Sequence, residues 1–487
     1  MTASKEIING RKKVASNTFF YLVYQCILFI IPLAIMPYLT RVLSDSVLGE
    51  YSFSYSIAYY FVLGSNLGIS LYGQREIASN KDNKDVLARK FWSLFYVHSF
   101  FSLLSFTAYI LFFTLSHQVG LYICIIPYVL SALFDVTWFF YGLENFKLVT
   151  IVNACLSIIK MVLIFIFVKS DESLWVYQLI SFGAVMFSQL AILAFAIKQL
   201  GKPIKVTKKE CLSHFKPIMY FALAAIALTL YTYVDKTLLG IMVKDSKKSV
   251  AYYECADKIV AVPRMLITVL GTVLYPKMCS LTSKSKNERI QNYTLFSIDW
   301  TGFLSFGAIF GLIALALPFS LLYYGDNYSV SGYCMMMMSP LILIISTGSI
   351  CRSQYILPQK KDKVFLTAIS INAIVNLALN VAFIPTMGVY GVILSSLISE
   401  TVALIYQLHY CKHFFPFKYA IKAMMVYLLA AVFMFAIVYG IMKTIDVDSW
   451  IKLLLLIFIG VVSYLFIIPI LIPCVGHSSI INKLRRK

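Results

Sequence analysis

Long apolar runs separated by short basic connections recur along this chain from end to end. A helix needs about 20 predominantly apolar residues to cross the hydrocarbon of a bilayer, and by that rule about fourteen runs qualify. They fall at roughly 14–43, 51–79, 90–115, 118–142, 147–168, 173–199, 213–240, 250–281, 290–323, 330–358, 364–385, 388–411, 418–442 and 449–473. The expectation is an all-α membrane protein of about fourteen transmembrane helices. The runs at 51–79 and 250–281 exceed one crossing, so they are expected to tilt or to project from the membrane.

The stretch Met36 to Ser79 places a charged knot, Pro37 to Leu43, between two apolar runs and reads as a helical hairpin that lines a pathway. Sliding the sequence by about 200 residues repeats it. Tyr38-Leu39-Thr40-Arg41-Val42-Leu43 falls on Tyr233-Val234-Asp235-Lys236-Thr237-Leu238, Gly49-Glu50-Tyr51 on Ala251-Tyr252-Tyr253, and Arg75 on Lys277. Three matches in order point to a duplication: two pseudo-equivalent six-helix lobes plus two extra C-terminal helices. The expected division is 1–199 for the N-lobe, 200–212 for a basic linker, 213–412 for the C-lobe, and 413–487 for the last two spans and a basic tail. Both copies share the parity of their spans, so the repeat axis lies along the membrane normal.

Composition agrees: 60% of the 487 residues are hydrophobic and 13% charged, with a mean hydropathy of +0.81. Such a chain has too little polar surface to be covered in water. The net charge of +20 changes the picture only through its placement. About 30 of the Lys and Arg residues fall on the N-terminus, the even-to-odd connections and the tail, about seven on the opposite connections and about five within spans. This alternation is membrane topology with both termini cytoplasmic, and it excludes a nucleic-acid footprint. The ten cysteines lie almost all inside apolar runs without a C-x-x-C pair, as small buried hydrophobes do. The first apolar run is longer than the ~7–15-residue core of a signal peptide and lacks a small-residue cleavage site, so it is expected to remain as the first span.

The sequence holds no H-E-x-x-H, no Gly-rich phosphate loop and no G-x-S-x-G. We therefore expect no enzyme activity, no catalytic residues, no cofactor and no metal centre. Without a nucleotide-binding motif, energy must come from ion gradients, the membrane potential or consumption of product. The candidate chemistry is charge within the spans, where each ionised group costs about 2.5–3.5 kcal/mol on insertion scales. Cations at depth are Lys160, Lys236, Lys258, Arg264 and Arg352, with Arg41 at the outer end of the first span. Carboxylates at depth are Asp135, Asp235, Glu254, Asp257, Asp299 and Glu400. On the eighth span Glu254, Asp257, Lys258 and Arg264 share an arc of roughly 120°. That face is either an interhelical salt-bridge set or the wall of a cationic cavity that receives a diphosphate, for which Arg supplies a fork and Lys a point charge. Asp235, Glu254, Asp257 and Glu400 are the candidates for charge pairing or ion coupling. Tyr231, Tyr233, Tyr252 and Tyr253 are candidates for stacking on sugars, or belong to the lipid belt.

Four motifs carry a resemblance: Pro37 to Leu43 with Gly49-Glu50-Tyr51; Gly68 to Ala78; Asp135-x-x-Trp138-Phe139-Phe140-Tyr141-Gly142-Leu143-Glu144; and Asn372 to Glu400 with Asn376, Asn380, Ile384-Pro385, Gly388 and Gly391. Over nearly its whole length the chain resembles the polysaccharide repeat-unit (Wzx-type, O-antigen or capsule) oligosaccharide flippases of the multidrug/oligosaccharidyl-lipid/polysaccharide exporter superfamily. The resemblance implies a two-lobed fold in the bacterial cytoplasmic membrane that moves an undecaprenyl-diphosphate-linked oligosaccharide by alternating access. It implies membrane lipids, a coupling ion (H⁺ or Na⁺) and the polysaccharide polymerase machinery as partners. The alternative of the same fold is a cation-coupled multidrug antiporter, which commonly has a carboxylate on the first span; between Val14 and Leu39 there is none. The peptidoglycan-precursor branch carries basic residues there, and these are absent too. A membrane glycan polymerase would need a long outer loop, whereas the longest outer connection here is about ten residues.

Overall fold

The computed structural model describes residues 30–80, 83–116, 119–201, 203–243, 245–283 and 287–474. Residues 14–29 of the first run, Lys202 of the basic connection and the tail from 475 lie outside the described residues. The described elements are helices, ten of them long and apolar enough to cross a membrane, or eleven if the bent pair Asp326–Met338 and Leu341–Ile356 is one span. The chain is therefore an all-α multi-pass membrane protein, and this number is consistent with the fourteen spans expected. The other runs correspond to α1 (Ile30–Val42), to α2 (Asp45–Asn66) with α3 (Ile69–Ser79), and to α10 (Lys208–Met242). Ser52, Ser54 and Ser56 keep the hydropathy of α2 below that of the ten long apolar helices.

The chain divides into two compact units, Met1–Tyr233 and Val234–Lys487. The basic connection lies in the first unit and the division falls within α10. In the first unit α4 (Lys84–Leu115), the short helices α5 (Val119–Ile123), α6 (Ile126–Ser131) and α7 (Thr137–Gly142), α8 (Phe146–Phe167) and α9 (Leu174–Leu200) follow α1–α3. The second expected span is broken where Leu67 and Gly68 take positive φ of 25° and 79°; glycine at 68 makes the left-handed turn possible without a Cβ clash. Asp135 interrupts the fourth span just ahead of α7. Its Oδ1 accepts from Thr137 N at 3.0 Å and Thr137 Oγ1 at 2.6 Å, and its carbonyl from Trp138 Nε1 at 3.1 Å. Trp138 then fills the space over Gly73, where a Cβ would meet the indole at 2.8 Å. The D-x-x-W motif is thus a cap and a packing wedge.

After the basic connection, Thr207 and Glu210 close a capping box: Thr207 N donates to Glu210 Oε2 at 2.9 Å and Glu210 N to Thr207 Oγ1 at 3.4 Å. The Thr207 backbone N–H first, and then the Thr207 hydroxyl and Arg89, hold the Glu210 carboxyl below the usual carboxylate range; Arg89 Nε is 2.9 Å away. His214, one turn on, is wedged between Tyr72 (2.8 Å) and Ser93 (3.0 Å).

The second unit holds α11 (Ser246–Ser283), α12 (Asn287–Tyr324), α13 (Ser329–Met338), α14 (Leu341–Cys351), α15 (Asp362–Met387), α16 (Val389–Cys411), α17 (Phe417–Met442) and α18 (Trp450–Cys474). A π-helical turn, Arg352–Ile356, ends α14. The last two helices dock on α12. Asp299, 2% exposed, accepts from Tyr419 at 2.6 Å and Tyr427 at 3.4 Å, and Tyr464 donates to the Phe303 carbonyl at 2.8 Å. A buried hydrogen bond to a charged group contributes about 1.5–3 kcal/mol. Tyr419→Phe is therefore expected to lower stability by about that amount, and Tyr427→Phe, at the longer distance, by less, read from thermal unfolding of the purified protein.

Candidate functional site

The charged residues of the second unit sort onto two sides of α10. Successive residues of a helix are about 100° apart, so Asp235 and Lys236 cannot share partners. Lys236 faces α11, where its ammonium pairs with Glu254; Glu254 also takes Lys258 at 3.1 Å. Seven residues along the same helix Arg264 pairs with Asp257 at 3.5 Å. Three of the expected cations and two of the expected carboxylates are thus brought together on α10 and α11, in largely buried positions. Removing such ions from water is costly, and the pairing is what makes it tolerable.

Asp235 takes other partners than the cations expected for it. It is 5% exposed and accepts from Asn380 Nδ2 at 2.7 Å, Ser396 Oγ at 2.8 Å and Tyr253 OH at 3.0 Å. Among the described residues no Lys or Arg pairs with it. Asn380 also donates to Asn376 Oδ1 at 3.0 Å, and Asn376 reaches Ser396 at 3.4 Å. Asn372, Asn376 and Asn380 recur every four residues and so line one face of α15. The side-chain oxygens of Asn372 and Asn380 are buried without a hydrogen-bond partner. The carboxylate is met by one amide nitrogen and two hydroxyl donors, while it and the neighbouring buried amide oxygens are hard oxygens of the kind that take a proton or an alkali cation. No group of three or more His, Cys, Asp or Glu that would hold a transition metal occurs among the described residues.

Of the remaining candidates, Arg41 and Lys160 belong to the first unit and Arg352 and Glu400 to the second. Arg41 is exposed at the end of α1 and donates to the Pro37 carbonyl at 2.6 Å. Lys160 is half-buried on α8. Arg352 opens the π turn and donates to Gln407 Oε1 at 3.4 Å. Glu400 is buried on α16, one turn beyond Ser396. Of the tyrosines, Tyr253 belongs to the Asp235 cluster, Tyr252 sits edge-on to Tyr328 at 5.8 Å, and the Tyr231 side chain lies outside the described residues. Tyr233 stacks on Tyr59 at 3.9 Å, extending a stripe of Tyr51, Tyr55 and Tyr59 along α2 whose neighbouring rings are 6.3 Å apart. The spacing of four that makes this stripe is the signal for it in the sequence.

An apolar cavity of about 530 Å³ lies between α11, α12, α17 and α18, bounded by Pro263, Gly307, Gly311, Met434, Leu456 and Gly460. Ile259 and Val262 also line it. α11 therefore carries the charged pairs on one arc and the wall of the cavity on another.

The profile of the polysaccharide biosynthesis protein family matches residues 14–282. A Shigella dysenteriae protein described as a candidate O-antigen transporter is 24% identical over 392 residues, which are 78% of this chain and 95% of that one. Among solved structures, the lipid II flippase MurJ in an inward closed conformation is similar at a TM-score of 0.74 and 17% identity, over 94% of this chain and 100% of that one. An inward-facing MATE family multidrug resistance transporter of the MOP superfamily is similar at a TM-score of 0.57 and 12% identity, over 78% of this chain and 94% of that one. The fold is that of the MOP-superfamily transporters.

Proposed function

The chain belongs to the polysaccharide biosynthesis protein family, and from that premise we propose that it moves an undecaprenyl-diphosphate-linked oligosaccharide across the bacterial cytoplasmic membrane by alternating access. The observation that carries this reading is the double character of α11. Such a substrate joins a diphosphate to a long apolar tail, and α11 joins Lys258 and Arg264 to the wall of an apolar cavity. In this reading Lys236, Lys258 and Arg264 receive the diphosphate, and Glu254 and Asp257 hold these cations when no substrate is bound. Spans 1–6 and 7–12 are the two pseudo-equivalent halves that rock, both termini are cytoplasmic, and the glycan is passed to the polymerase machinery outside.

The apolar cavity takes the polyprenyl tail. A Cβ added at Gly311 meets nothing within 4 Å, so Gly311→Leu fills the cavity without displacing its walls. Export of the lipid-linked glycan in cells is expected to fall at least about tenfold, with thermal stability of the purified protein unchanged or raised because more apolar surface is buried. Undiminished export by a stable Gly311→Leu protein would exclude the cavity as the tail site.

The buried polar cluster at Asp235 is the coupling site in this account. It holds a proton or Na⁺ between the carboxylate, the Asn376 and Asn380 amides and Ser396. Binding there favours one arrangement of α10 against α15 and α16. The same cluster would serve a cation-coupled drug antiporter, the second reading of the fold, but that reading leaves the cationic face of α11 without a role.

A further inference from the structure

A second cavity, of about 440 Å³ and polar in character, opens at one end of the second unit. It lies where the connections α11–α12, α14–α15 and α16–α17 meet. These are three even-to-odd connections, the ones whose Lys and Arg content places them in the cytoplasm. Its floor is Gln354, 2% exposed, whose amide nitrogen donates to Ser297 Oγ while its Oε1 is buried without a partner. Whichever way the amide is turned, one of its polar atoms is left unsatisfied in a low-dielectric setting, which is unfavourable unless a ligand or water meets it.

The backbone here is also unusual. Gln354 and Tyr355 lie in the π turn Arg352–Ile356, a wide turn found mostly as a single bulge and often at functional sites. One wall is aromatic: Tyr355 and Phe414 stack with centroids 4.8 Å apart. Lys361 Nζ donates to the Tyr355 hydroxyl at 3.0 Å and fixes that ring. The rim is Gln291, Gln359 and His413, all exposed. Among the described residues no carboxylate lines the cavity, which argues against a cation as its occupant. Amides that both donate and accept, beside a flat aromatic face, match a ring bearing several hydroxyls. The volume falls within the range of about 300–1,000 Å³ typical of small-molecule sites.

We propose that this cavity is a binding site for an uncharged saccharide unit, held by Gln354, Gln291 and Gln359 against the Tyr355–Phe414 wall. The site stands on its own geometry; that the saccharide is the head of the transported glycan rests on the function proposed above. A free sugar and a lipid-linked one share this chemistry, and the test separates them. In nanodiscs, His413→Cys protein is labelled with a maleimide at the exposed rim, with the parent chain as background. The probes are N-acetylglucosamine, galactose and their polyprenyl-diphosphate-linked forms. A bound sugar is expected to slow labelling about tenfold when the probe is at about ten times its dissociation constant. Protection by the free sugars identifies a site for soluble saccharide, and protection by the lipid-linked forms alone identifies a docking site for the glycan head. Gln354→Leu in the same background is expected to remove the protection, and the exposed Gln291→Ala to weaken it if Gln354→Leu does not fold. Labelling unchanged by all of the probes overturns the proposal. Export of the glycan in cells is scored in parallel: export without protection removes this site and leaves the transport reading, while protection without export does the reverse.

Discussion

Glu254→Leu is expected to be among the most damaging single substitutions in the second unit. It leaves Lys236 and Lys258 largely buried without the carboxylate that now pairs with both. Breaking a buried pair from one side costs about 3–5 kcal/mol, a large share of the roughly 5–15 kcal/mol that holds a domain together. Replacing all three groups with apolar ones of similar volume (Lys236→Met, Glu254→Leu and Lys258→Met together) is expected to recover most of that stability, because the desolvation cost leaves with the charges. Transport separates the two roles of this network. The triple variant should fold and fail to export, because the diphosphate then loses Lys236 and Lys258 and keeps only Arg264 of the cations on α10 and α11. Export by the triple variant at the parent rate would reduce the network to a structural salt-bridge set. Lys258→Gln and Arg264→Gln extend the test one cation at a time; Arg264→Lys should partly restore export, since Lys keeps the charge but loses the fork.

Asp235→Asn is expected to give the largest functional loss for the smallest change of shape. The amide fits where the carboxylate lies between Asn380, Ser396 and Tyr253, but it can hold neither a proton at neutral pH nor the charge that attracts a cation. If Asp235 couples an ion to the movement of the helices, ion-driven transport should fall by about 5–150-fold, the usual span of a coupling free energy. The residual transport should no longer respond to an imposed pH or Na⁺ gradient. Asp235→Ala should in addition cost stability, since each buried donor left unpaired costs about 1–3 kcal/mol. A variant Asp235→Asn whose transport keeps the gradient dependence of the parent would exclude Asp235 as the coupling group.

The legibility of these features in the sequence followed the range of the interactions that make them. The charged face of α11 could be read because Glu254, Asp257, Lys258 and Arg264 lie within eleven positions of one helix and the period of the helix fixes their arc. The break at Gly68 fell inside a run expected only to tilt or to project from the membrane. The partners of Asp235 were not legible, because Asn380 and Ser396 are 145 and 161 residues away, and nothing in a local pattern distinguishes an aspartate facing two asparagines from one facing Lys258. The motif from Asn372 to Glu400 was recognised as a resemblance, while its physical role as a ladder of amides on a buried carboxylate emerged only from the packing of α10, α15 and α16. The docking of α17 on Asp299 was hidden likewise, since Tyr419 is 120 residues from its acceptor. The polar cavity at Gln354 left no trace because its residues come from four separate elements.

The central claim is most directly tested by reconstitution. The purified chain is placed in proteoliposomes containing a polyprenyl-diphosphate-linked oligosaccharide, and the fraction of glycan head accessible to a membrane-impermeant glycosidase outside is followed in time. The account predicts that the intact protein exposes the inner-leaflet glycan well above the protein-free rate, and that Lys258→Gln and Arg264→Gln abolish the excess. An intact, folded protein that leaves the inner-leaflet glycan at the protein-free rate would contradict it.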